Sequence, residues 1–168
     1  GASALASQIN ELGSGAGSTL TLTGDVNGTG AGLEKLSVAT GGGTGSAVML
    51  GNVGNSTRID TLTATGAGNL GLNGTVNTAG NVDWSALTGG VVLAGNTTIN
   101  TSGGATAGHL AGGSVAINGN AAGRTLTSQT NATTHGNVTI GNVGATQALG
   151  AVNLTGATVS VGDINTSG

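Results

Sequence analysis

Six carboxylates are available for acid–base chemistry: Glu11, Asp25, Glu34, Asp60, Asp83 and Asp163. Asp60 and Asp83 are spaced so that one turn of a repeating structure would stack them on one face, and Arg58 stands two residues before Asp60. Two carboxylates and an arginine could cleave an acidic polysaccharide, given a cleft and an aromatic platform for the sugar. Only one aromatic residue exists, Trp84, and its alternation with Val82 marks it as a packing residue. Arg58 is expected to neutralise Asp60. The chain is read as having no catalytic residue.

The remaining motifs are equally spare. Gly66-Ala67-Gly68-Asn69-Leu70-Gly71 has the glycine spacing of a dinucleotide loop, but such a loop must lead into a helix whose N-terminus meets the phosphate. Leu72-Asn73-Gly74-Thr75-Val76 follows instead and reads as strand, so the glycines are assigned to a turn. His109 and His135, the two imidazoles, have no metal-ligand spacing. Gly41-Gly42-Gly43-Thr44-Gly45 approaches a calcium-binding glycine repeat but supplies no Asp. No cofactor and no metal are expected. Lys35, Arg58 and Arg124 form no basic footprint, which argues against nucleic acid and against a charged membrane surface. Asn-x-Ser/Thr sequons, by contrast, are abundant: Asn27, Asn55, Asn73, Asn96, Asn100, Asn131, Asn137, Asn153 and Asn165. They are candidate glycosylation sites.

The elements that would carry these residues follow from composition and period. Of 168 residues, 36 are Gly; Pro, Cys, Phe and Tyr are absent, and only 5% are charged. Without aromatics a wide core is hard to fill. Val, Leu, Ile and Ala can fill a narrow core, in which each coil of a solenoid buries its side chains against its neighbours. Lack of cysteine removes disulfides and thiolate sites. No apolar run is long enough to span a bilayer, and Gly1 to Gly17 has no signal-peptide pattern.

Apolar and small polar residues alternate in short runs, the period of a half-buried strand. Leu20-Thr21-Leu22-Thr23, Leu36-Ser37-Val38, Val138-Thr139-Ile140, Val152-Asn153-Leu154 and Val159-Ser160-Val161 are examples. Each run stops at Gly or Asn, which accept turn conformations. A single stretch, Ala2 to Leu12, places Leu5, Ile9 and Leu12 on a helical face; a short capping turn or the tail of a preceding coil fits it as well. Absence of proline suits strands in which every N–H is needed as a donor. Asn at the turns can form hydrogen-bonded ladders from coil to coil.

A long internal repeat organises these strands. Gly51-Asn52-Val53-Gly54 recurs 90 residues later as Gly141-Asn142-Val143-Gly144, and the match runs from 45–80 to 135–168. Shorter coils of roughly 20–30 residues are expected inside it, the period range of solenoids. One domain covers residues 1–168, read as a segment of a longer repetitive chain with uncapped ends. Its partners would be neighbouring coils, or copies of itself end to end.

These Gly/Asn/Thr/Val units, from Leu20 to Gly168, resemble the repeats of filamentous-haemagglutinin-like proteins and of autotransporter and two-partner-secretion adhesins. The resemblance implies a right-handed parallel β-helix, an extracellular or cell-surface location in bacteria, and a shaft for an adhesin or secreted fibrous exoprotein. Host or matrix carbohydrate is the partner such proteins suggest. A self-assembling filament subunit and a polysaccharide-binding or -cleaving β-helix are the alternatives.

Overall fold

The computed structural model describes residues 6–10, 17–30, 32–43, 45–105, 108–130 and 136–167. Fourteen strands and no helix occur among the described residues. In chain order they are β1 (Ala6–Asn10), β2 (Thr19–Leu22), β3 (Lys35–Thr40), β4 (Ala47–Leu50), β5 (Thr61–Gly66), β6 (Asn69–Asn77) and β7 (Val82–Leu87). There follow β8 (Val91–Asn100), β9 (Leu110–Ala111), β10 (Ile117–Gly119), β11 (Thr125–Gln129), β12 (Val138–Ile140), β13 (Ala151–Thr155) and β14 (Val159–Val161). The described part of the Ala2–Leu12 stretch is therefore strand, not helix. Ala6–Asn10 pairs in parallel with Lys35–Ala39, and this ladder overrides the weak helical spacing.

The strands form a β-solenoid. One sheet stacks β1-β3-β5-β7-β9-β12-β14 and the other β2-β4-β6-β8-β11-β13, with β10 also on β8; all the pairings are parallel. Each step up the first sheet advances the chain by one coil. Leu36 pairs with Leu62, and Leu62 with Val82, steps of 26 and 20 residues. The second sheet turns a corner. Strands β6 and β8 shift register between Leu72 and Gly74, and β10 and β11 then pair with different halves of β8. A coil thus has three sides: the first sheet and the two halves of the second.

Alternation along each strand sends one set of residues inward, where identical positions stack coil upon coil. Leu36, Leu62, Val82, Leu110 and Val138 make one such column. Val48, Leu70, Val91 and Ile117 make another. Val76, Ile99, Ser128 and Leu154 belong to a third. Buried polar residues close the corners. Thr78, Thr101 and Thr130 donate their hydroxyls to the carbonyls of Gly80, Gly108 and Gly136, at 2.7, 2.9 and 2.9 Å.

Trp84 is 1% exposed and lies in the core, as its alternation indicates. A bulge admits it. Thr63 pairs with Asp83 but Thr65 with Ala86, so Trp84 and Ser85 both oppose Ala64. Small neighbours complete the space: Ala64 on one side, and on the other Gly112, where a Cβ would lie 2.5 Å from the Trp84 Nε1.

The two Gly-Asn-Val-Gly segments form equivalent corners. Gly54 and Gly144 have φ of 67° and 75°, and a Cβ on either would fall 2.2 Å from the carbonyl oxygen of Asn77 or Asn165. Asn52 accepts the Thr75 N–H at 2.9 Å, and Asn142 that of Asp163 at 3.0 Å. Yet they lie on different sides of the solenoid. Val53 bridges Val26 and Val76, whereas Val143 bridges Ile117 and Ile164. The strand after the first segment, β5, belongs to the first sheet; the strand after the second, β13, belongs to the second.

Candidate functional site

Among the described residues, the side chains singled out for chemistry lie on the outward surface, apart from the buried Trp84, and that surface is organised by asparagine. At the corners a strand's N–H groups lose their ladder partners, and an unpaired amide is costly. An Asn side chain from the preceding coil supplies the acceptor. Asn27, Asn69, Asn81, Asn96 and Asn118 accept from Ser56, Gly90, His109, Thr125 and Thr146 at 2.9, 2.9, 2.9, 3.2 and 2.9 Å. His109 extends one of these ladders: its backbone donates to Asn81, and its Nδ1 accepts the Asn137 N–H at 3.0 Å. Residues 81, 109 and 137 are evenly spaced at 28, and that spacing is the signal in the sequence for this role. His135, Glu11 and Asn131 lie outside the described residues.

Asp25, Glu34, Asp60 and Asp83 have separate partners. Asp25 accepts from Asn52 Nδ2 at 2.9 Å and Asn55 Nδ2 at 3.0 Å, and these bonds hold its pKa below the ordinary value. Glu34 is likewise lowered, first by the Thr29 hydroxyl. Its Oε1 also accepts the N–H groups of Thr29 and Gly30 at 2.9 and 3.0 Å. Asp83 accepts from its neighbour Ser85, backbone at 2.9 Å and hydroxyl at 2.7 Å.

Asp60 is neutralised by Lys35, at 3.8 Å, and not by Arg58. The Arg58 side chain instead runs over the coil above, and its Nη1 occupies the place a Cβ on Gly103 would take. Coil-to-coil pairing brings Lys35 alongside Thr61, next to Asp60, a proximity the linear spacing of Arg58 and Asp60 does not reveal. Gly80, not Asp83, is level with Asp60, to whose carbonyl it donates at 2.7 Å. Asp83 is therefore one coil up and about 10 Å further along the strand direction. Asp60, Asp83 and Arg58 do not converge in a groove.

Gly66 to Gly71 spans the corner between β5 and β6 and the first residues of β6. Gly66 has φ 113°, and a Cβ there would strike the Thr40 carbonyl. No group of three or more metal-ligating side chains occurs among the described residues. The surface offers a shallow depression of about 270 Å³ between Thr21, Thr23, Met49, Gly51, Asn73 and Ala94, with no ionisable group in its lining.

No protein-family model, curated protein or solved structure matches this chain.

The sequons divide by what their amides do. Asn27 and Asn96 serve the ladders. Asn55 is bound to Asp25, Asn165 donates to the Gly144 carbonyl at 3.3 Å, and Asn100 accepts from Ser102. Asn73, Asn137 and Asn153 are exposed. The outward side of the second half of the second sheet is a uniform array. Thr75 and Asn77 lie beside Thr98 and Asn100, and these beside Thr127 and Gln129; Asn73 lies over Gly95, and the Asn96 side chain reaches Thr125. No charged residue stands among them. Such a surface can bind water and withstand stacking, but it holds no group that could transfer a proton near neutral pH.

Proposed function

We propose that this chain is a length of the structural shaft of an extracellular bacterial surface adhesin or secreted fibrous exoprotein. The observation that carries the reading is the pairing of successive coils on every side, by strand ladders and at the corners by asparagine, with Asp25, Glu34, Asp60 and Asp83 dispersed into separate local bonds. Backbone hydrogen bonds run along the axis, so the stack is a stiff spacer. Its role is to hold a recognition element away from the cell. Antibodies raised against the folded chain should label intact, unpermeabilised source cells or their culture medium. Labelling only after lysis would defeat the proposal.

A further inference from the structure

Three Asn-Gly pairs occur in the sequence, at 27–28, 73–74 and 118–119. Glycine leaves the preceding carboxamide open to attack by the next backbone nitrogen, since no side chain shields it. The three pairs are held very differently. The Asn27 Oδ1 accepts from Ser56 and Thr57, and the Gly28 N–H donates to the Thr57 carbonyl at 2.9 Å. The Asn118 Oδ1 accepts the Thr146 N–H at 2.9 Å, and Gly119 is buried, its N–H directed at the Gln147 carbonyl at 3.5 Å.

The Asn73 carboxamide has no such tether. The residue is exposed, and its carboxamide makes no hydrogen bond among the described residues. Its Oδ1 lies over bare Gly95, 2.1 Å from where a Cβ there would stand. Gly74 has φ 115° and sits where the register between β6 and β8 shifts.

From this we propose that Asn73 is a modification site, the position at which the folded chain deamidates first. The Gly74 nitrogen gives its proton to solvent base and bonds to the Asn73 Cγ; the Cγ–Nδ2 bond breaks and ammonia leaves. Water then opens the resulting succinimide at either carbonyl, yielding aspartate or isoaspartate. Aspartate puts a negative charge into the uncharged Asn/Thr array. Isoaspartate lengthens the backbone of β6 by one atom, displacing Thr75, Val76 and Asn77 from their partners Thr98, Ile99 and Asn100.

The test uses the full chain made in a host without N-glycosylation, incubated in mildly alkaline buffer both folded and unfolded in urea. Peptide mapping by mass spectrometry follows the three pairs. Unfolded, they should react at comparable rates. Folded, Asn73 should lead by about fivefold or more, the rate equivalent of one net hydrogen bond of about 1 kcal/mol that the other two must first break. In the folded variant Asn73→Gln, ammonia release should fall to the slow level of the other two sites. Equal rates in the folded chain, a lead by Asn27 or Asn118, or no conversion at Asn73 would each overturn the assignment.

Discussion

A methyl group added at Gly112 interrogates the packing around the single tryptophan. In Gly112→Ala the new Cβ would lie 2.5 Å from Trp84 Nε1, 3.0 Å from Ile140 Cγ2 and 3.1 Å from the Thr139 carbonyl. Its φ is not in the left-handed region, so the cost is steric alone. Trp84 cannot swing aside without disturbing a buried column, and overpacking of this kind costs about 1–3 kcal/mol. Gly24→Ala is the control. Nothing lies within 4 Å of its added Cβ, and stiffening the unfolded chain there should be neutral or stabilising by up to about 1 kcal/mol. Urea unfolding followed by Trp84 emission reads both. With a slope of about 2 kcal/mol per molar, Gly112→Ala should lower the midpoint by about 1 M, and Gly24→Ala should leave it or raise it slightly. A Gly112→Ala midpoint equal to that of the parent would refute the tight indole slot. A loss at Gly24 as large as at Gly112 would show that glycine itself, not the space around it, sets the cost.

Three further outcomes are expected. The Ser128 hydroxyl is buried without a partner among Ile99 and Leu154, so Ser128→Ala should raise the urea midpoint, by the equivalent of about 1 kcal/mol. Gly54→Ala and Gly144→Ala should each lose about 1–2 kcal/mol or more, since both positions are left-handed and face a carbonyl; clearly unequal losses in calorimetry would mean that the two corners are not equivalent. Asp25 and Glu34 have folded pKa values below their unfolded ones. Their contribution is therefore present above about pH 4 and is lost as the pH falls through the lower folded values. Midpoints measured down an acid series should decline over that interval, less so in Asp25→Asn.

Alternation made the strands legible because a strand that buries one face must alternate, as Leu36-Ser37-Val38 and Val138-Thr139-Ile140 do. The corners were legible for a similar reason. Gly54 and Gly144 are places where no other residue fits, so Gly-Asn-Val-Gly had to reappear wherever that corner is built. Across coils the sequence is silent about register, and there the expectations failed. Asp60 meets Lys35 because β5 happens to stack on β3 with Thr61 beside Lys35; linear proximity pointed to Arg58. The Trp84 bulge was hidden as well, since it depends on Ala64 and Gly112 in the coils below and above. His109 looked like a lone imidazole until its even spacing with Asn81 and Asn137 became a ladder.

The displacement of the two Gly-Asn-Val-Gly corners onto different sides has a geometric outcome of its own. Ninety residues carry the chain through several coils less one side, so the repeat acts as a screw operation and not as a translation. Further repeats obeying the same rule would place each successive copy on the next side, returning to the starting azimuth only after three. Any side chain or glycan tied to the motif would wind around the rod as a helical thread. A rod decorated in that way has no preferred flank, and whatever approaches from any direction meets the same surface.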